Sequence, residues 1–181
     1  RRVGVTFRNV AVLLGISLAV TPAFKMRFWN IGGEGQFIVG AIASGYVALK
    51  FGNLPSAVTL ILMCVAAMVT AGLYGLVAGI LKVRFGTNET LMTLMMNYIA
   101  LYILMFISEE KAEWNLFLSE ESVRPVFKSF SDLVSFPGIP VDGKFELNVC
   151  VIFAFLIGAL VFVYLKKTKQ GYEISVVGDS I

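Results

Sequence analysis

Two carboxylates, Glu34 and Glu89, stand against the long apolar stretches of this sequence, and each sits in a polar cluster. Glu34 lies in Phe28-Trp-Asn-Ile-Gly-Gly-Glu-Gly-Gln36, where Asn30 and Gln36 flank it. Glu89 lies in Phe85-Gly-Thr-Asn-Glu-Thr-Leu-Met-Thr-Leu-Met-Met-Asn-Tyr98, where Glu89, Thr93 and Asn97 recur every fourth residue. Such side chains can hold a proton or cation, hydrogen-bond a polar solute, or bridge helices. Other chemistries are missing their parts. With no histidine in the 181 residues, His-based metal sites, Ser-His-Asp triads and histidine proton relays are excluded for this stretch. Cys64 and Cys150 each fall in or at the end of an apolar run, so no disulfide framework is implied. No GxxxxGK[ST] phosphate loop occurs, so the chain itself is not expected to bind ATP. No catalytic residues, metal site or cofactor are expected.

The glycines give the first cluster its significance. A glycine costs a helix interior about 1 kcal/mol, so Gly32, Gly33 and Gly35 predict a broken or unwound helix. Unwound backbone at membrane depth survives only where protein or a water-filled cavity satisfies it, and Gly-interrupted helices point to a transport path. On that reading Asn30, Gly32, Gly33, Glu34, Gly35 and Gln36 line the path. The alternative is a Gly-rich turn at the cytoplasmic surface, flanked by Lys25 and Arg27. In the second cluster Thr87 or Asn88 can cap a following helix, and Glu89 suits its first turn. The stripe of Glu89, Thr93 and Asn97, with Thr90 beside it, must face the bundle interior. There it either bonds between helices or, together with Asn88, lines a cavity.

The elements that would position these clusters are apolar and long. Hydrophobic residues make up 57% of the chain and charged ones 15%, and the mean hydropathy is +0.82. Soluble domains lie near 45–50% and about 25%. Uncharged runs cover 55–81, 91–107 and 147–165, close to the ~20 apolar residues that cross a bilayer core. Shorter apolar segments, 10–24 and 37–49, flank the glycine cluster. The small residues Ala67, Ala71, Gly75 and Gly79 form a ridge on which another helix can pack closely. Met92, Met95, Met96 and Met105 read as adaptable packing. Lys82 and Arg84, and then Lys166, Lys167 and Lys169, follow two of the runs, whereas acids outnumber bases in 108–146. The positive-inside rule therefore places 82–90 and the tail 166–181 in the cytoplasm and 108–146 outside. Arg1, Arg2 and Arg8 fit this scheme only if an upstream helix dominates orientation or 10–24 does not span fully. Segment 108–146 mixes acids with Trp114, Phe117, Phe127, Phe130 and Phe136, and with Pro125, Pro137 and Pro140. It suits either a short amphipathic helix on the outer interface or a solvated loop with aromatic anchors. The net charge of +3 is too small to suggest nucleic acid.

Three motifs, in order, resemble the membrane subunit of bacterial ABC importers of the nucleoside and simple-sugar type, which work with a lipoprotein receptor of the basic membrane protein family. They are Phe28-Trp-Asn-Ile-Gly-Gly-Glu-Gly-Gln36, then Phe85-Gly-Thr-Asn-Glu89 leading to Met96-Asn-Tyr-Ile-Ala100, then Thr168-Lys-Gln-Gly-Tyr-Glu-Ile174 with Val177-Gly178. The family is distantly similar to the ribose and branched-chain amino acid permeases. The resemblance implies that the first motif lies at a broken helix lining the path. It also implies that Gly171, Tyr172, Glu173 and Gly178 begin a cytoplasmic segment coupled to an ATPase.

The expected fold is therefore all-α: a polytopic transmembrane bundle with a Gly-broken helix, a fragment of a larger permease in a bacterial cell membrane. The expected partners are an ATP-binding subunit, a second permease subunit, an external solute-binding lipoprotein and membrane lipid. A nucleoside is the first expected solute and a simple sugar the next. An ion-coupled secondary transporter would have to use Glu34 or Glu89. A membrane scaffold would have no reason to place a broken Gly-rich helix opposite a Thr/Asn stripe.

Overall fold

The apolar runs fold as helices, and the polar and turn residues between them set where each helix stops. The computed structural model describes residues 2–110, 112, 114–120, 122–131, 134, 138–142 and 145–179. Its elements in chain order are α1 (Arg2–Lys25), α2 (Gly33–Phe51), α3 (Ser56–Phe85), α4 (Glu89–Glu109), β1 (Gly138–Asp142), β2 (Phe145–Asn148), α5 (Cys150–Lys167) and α6 (Lys169–Asp179). They fall into two compact units, residues 1–30 with 136–181, and residues 31–135.

In the first unit, α1 loses one ladder bond at Pro22 and ends a turn later. Its end is a Schellman cap: the Phe28 N–H donates to the Ala23 carbonyl (3.0 Å) and the Arg27 N–H to the Phe24 carbonyl (3.0 Å). Arg27 occupies the left-handed position of that cap, with φ 53°, where glycine is usual. Leu14 and Leu18 of α1 pack on Gly158 of α5. The chain then bends 70° from α5 into α6. Thr168 caps the new helix: its hydroxyl accepts from the Gly171 N–H (3.1 Å) and donates back to the Tyr164 carbonyl (2.7 Å).

In the second unit, α2 lies between α3 and α4. Gly40 of α2 sits on the Ala67 carbonyl and the Ala71 methyl of α3, which puts the small-residue ridge against α2. Gly75 of the ridge meets the Gln36 amide, whereas Gly79 faces open space. The turn between α2 and α3 is fastened by Thr59, 1% exposed, whose hydroxyl donates to the Phe51 carbonyl (3.2 Å). Gly86, left-handed at φ 64°, ends α3, and Asn88 caps α4 through the N–H groups of Thr90 and Leu91. Tyr74 ties α3 to α4 by donating to the Met96 carbonyl (2.7 Å).

The most deeply buried side chains are small, and most of the large apolar ones point outward, Met96 and Leu118 being buried exceptions. Ala48, Ala78, Ala100, Thr59 and Thr93 are buried, while Ile61, Met68, Leu73, Met95, Tyr102, Phe155 and Leu160 are each about half exposed or more. A water-soluble protein does the reverse. This inversion suits a solvent as apolar as leucine, in which close backbone approach holds helices together. Among the described residues three helical stretches, Val5–Lys25, Ser56–Phe85 and Glu89–Glu109, are long and apolar enough to cross a membrane, or up to four if α5 and α6 count as one bent span. The 30 residues of α3 measure about 45 Å, more than the ~30 Å hydrocarbon core, so α3 tilts or projects beyond it.

One expectation is corrected and one pair of alternatives is narrowed. The break in the first apolar region runs over 26–32, so Gly33 and Gly35 are not unwound but form the first turn of α2. Segment 108–146 carries no amphipathic helix among its described residues. Instead Leu118 and Phe127 form an antiparallel bridge, and β1 and β2 pair as a hairpin, with Ile139 opposite Leu147. Pro125 and Pro140 remove backbone donors there, which hairpin edges and turns tolerate and helices do not. The same hairpin takes the start of the apolar segment 147–165, so α5 begins only at Cys150. Phe136, Pro137 and the terminal residues 1, 180 and 181 lie outside the described residues.

Candidate functional site

The site grows from a helix start that cannot cap itself. The first N–H groups of any helix need partners, usually the oxygen of a side chain at the N-cap. Here the N-cap is Gly32, which has no side chain to offer. The missing acceptor comes from α4. Asn97 Oδ1 accepts the Gly35 N–H at 2.8 Å, and Asn97 Nδ2 donates to the Ile31 carbonyl at 3.0 Å. One turn earlier on the same face, Thr93 Oγ1 accepts the Ile31 N–H at 3.2 Å and donates to the Glu89 carbonyl at 2.8 Å. The i, i+4 spacing of Thr93 and Asn97 lets two side chains of one helix hold three backbone groups spread over five residues.

Gly35 is required by this latch. A Cβ there would stand 2.9 Å from Asn97 Oδ1 and 3.1 Å from its Cα. Gly33, two residues away, has nothing within 4 Å of such an atom. The two glycines therefore differ: one yields space to a capping amide, the other is open.

The remaining candidates separate by environment. Gly32 and Gly35 are buried, Asn30 and Gln36 half-buried, and Gly33 and Glu34 exposed. Asn88 uses its side chain as the α4 cap. Glu89 forms an ion pair with Lys82 at 2.7 Å, its side chain 15% exposed. Lys82 comes from the last turn of α3, so the pair closes the tight α3–α4 turn. The structure thus joins the Gly-rich motif to Thr93 and Asn97, and joins Gln36 to the ridge at Gly75, but it draws Asn88 and Glu89 to that turn. The Glu34 carboxylate forms no ion pair among the described residues.

Farther along α2 and α4 lies an apolar cavity of about 320 Å³, whose wall includes Phe37 and Gly45 of α2 and Leu104 of α4. Phe117 and Phe130 from the segment after α4 close over it, with a Phe117 ring carbon 3.2 Å from where a Gly45 Cβ would be. Asn115 makes that closure possible. It is 7% exposed, donates to the carbonyls of Ile107 and Glu110 (both 2.7 Å) and accepts from the Phe117 N–H, so it caps α4 and turns the chain back. Sequence reasoning did not single out Asn115 or Tyr74, and it read Lys82 as a topology signal rather than as the partner of Glu89; none of the three belongs to a periodic pattern.

At α6, the four candidates lie on two faces. Gly171 sits against the Tyr164 and Leu165 carbonyls and Gly178 against the Lys25 carbonyl, both buried. Tyr172, 70% exposed, and Glu173 point away.

Comparison with known proteins adds a family to this geometry. The chain is 31% identical over 176 residues to the guanosine ABC transporter permease protein NupP of Bacillus subtilis, covering 97% of this chain and 49% of that protein. It is 28% identical over 180 residues to the nucleoside ABC transporter permease protein NupB of Lactococcus lactis, covering 98% and 49%. It is 26% identical over 186 residues to the glucose ABC transporter permease protein TsgB13 of Haloferax volcanii, covering 97% and 47%. The chain spans about half the length of these curated relatives. No solved structure matches it. A family model matches residues 4–181, and with its outward-facing apolar helices this chain belongs to the branched-chain amino acid transport system permease component family, as a multi-pass membrane protein.

Proposed function

We propose that the chain is part of the membrane-spanning subunit of an ATP-driven ABC importer that carries a small polar solute into a bacterial cell, a nucleoside first and a simple sugar next. The similarity to permeases named for guanosine, nucleoside and glucose transport carries this reading. The latch supports it, because an interrupted helix start held by side chains of a neighbouring helix can be released and remade. Glu34 and the open Gly33 at that start are the groups left facing outward for solute. Energy would come from a separate ATP-binding subunit meeting α6, and solute from an external binding protein.

The ion-coupled alternative is weakened at Glu89, whose carboxylate is already matched to Lys82. The test is uptake of tritiated guanosine by proteoliposomes holding the whole permease and its ATPase, with the external binding protein supplied on the solute side. Uptake should require ATP inside the ATPase-accessible face and vanish when the ATPase is left out. Uptake that persists without the ATPase and collapses with the proton or sodium gradient would replace this reading with the ion-coupled one.

A further inference from the structure

At the end of α1 the Schellman bonds use the carbonyls of Ala23 and Phe24, and the next carbonyl is that of Lys25. Gly178, in the last turn of α6, sits directly on it. A Cβ at 178 would collide with the Lys25 carbonyl oxygen, lie 3.1 Å from its carbon and 3.7 Å from the Met26 Cα. The contact is backbone on backbone, so no rotamer change can relieve it. It also has a fixed lever behind it. The inner face of α6 runs through Gly171, Ile174, Ser175 and Gly178, and Gly171 is pressed on the carbonyls of Tyr164 and Leu165 at the 70° bend. One end of α6 is thus seated on α5 and the other on the end of α1. Beyond Lys25 the chain turns through the left-handed Arg27 and enters the interrupted stretch 28–32.

We propose that Gly178 is a positioning residue for transport: through its seat on Lys25, displacement of α6 shifts the end of α1 and so the interrupted stretch that follows it. This rests on the reading of α6 as the segment that meets the ATPase. Tyr172 and Glu173, on the opposite face, are exposed toward that partner, Glu173 beside Lys169 at 3.7 Å, while Gly178 transmits.

The experiment uses the whole permease with its ATPase in proteoliposomes, the external binding protein on the solute side, and tritiated guanosine as the probe. Gly178→Ala should leave co-purification with the ATPase and ATP hydrolysis within about twofold of the parent while uptake falls about tenfold, the range expected for a coupling contact. Uptake equal to the parent's overturns the proposal. Should Gly178→Ala fail to assemble, Met26→Cys in the Gly178 background decides. Its maleimide labelling rate should change by about threefold or more between the nucleotide-free and vanadate-trapped states, and equal rates overturn the proposal. A parent complex that shows no ATP-dependent uptake would instead sink the importer reading, so the two failures are distinct.

Discussion

Asn97 does for α2 what its own N-cap cannot, and the energetics follow from the groups it would leave behind. Asn97→Leu strips partners from the Gly35 N–H and the Ile31 carbonyl at once. Interhelical bonds in membranes average about 0.6 kcal/mol, and an orphaned buried group costs about 1–3 kcal/mol, so a loss of about 1–2 kcal/mol is expected. The variant should insert, melt at a lower temperature in detergent, and transport poorly per inserted molecule. Normal uptake would reduce the latch to packing. The glycines beside it provide a sharper contrast. Gly33→Ala adds a methyl in open space at a helical position and should be neutral or stabilising by up to about 1 kcal/mol. Gly35→Ala makes the same propensity gain but drives a methyl into Asn97, so it should lower the melting temperature and impair uptake. Equal behaviour of the two alanine variants would show that the amide moves aside freely.

At the scale of elements, the α3–α4 turn concentrates several devices in a few residues: the left-handed Gly86, the Asn88 cap and the Lys82–Glu89 pair. The pair is partly exposed on the lysine side, so its net worth is about 1 kcal/mol or less. Glu89→Gln is therefore expected to cost little stability and to leave ATP-driven uptake within about twofold of the parent. An ion-coupled carrier would respond differently, because loss of a coupling carboxylate stops transport. Uptake abolished by Glu89→Gln, with insertion intact, would move Glu89 from the turn to the mechanism.

For the whole molecule, the charge distribution predicts sidedness. The basic residues that follow α3 and α5, and the acid-rich segment between α4 and α5, predict α6 inside and 108–146 outside. Val123 is 99% exposed and Val176 43%, so a cysteine at either position can be reached by a probe. In intact cells an impermeant maleimide should label Val123→Cys and spare Val176→Cys until the membrane is opened. The reverse pattern would overturn the topology and remove α6 from the ATPase side.

How much of this was legible in the sequence depended on whether the signal was local. Apolar runs longer than a soluble helix needs fix a membrane bundle whatever the neighbours do, because backbone in lipid must bond to itself. The Asn88 cap, the stripe at Thr93 and Asn97, and the ridge at Ala67 and Ala71 are spacings along one helix, and they could be read directly. Their partners could not. The glycine cluster reads locally as unwound backbone, yet Gly33 and Gly35 are helical, since α4 supplies the cap that makes a glycine-rich helix start tolerable. Segment 108–146 read as an interfacial helix or a loop, and the return of Phe117, Phe127 and Phe130 over the cavity depends on Asn115 bonding to the end of α4. The seat of Gly178 on Lys25 joins residues at opposite ends of the chain, through a contact that involves no side chain on the glycine's part. Local patterning determines which segments are helices and which faces are polar. Only tertiary structure decides which backbone groups those faces satisfy, because each such bond is a property of two segments and is written in neither alone.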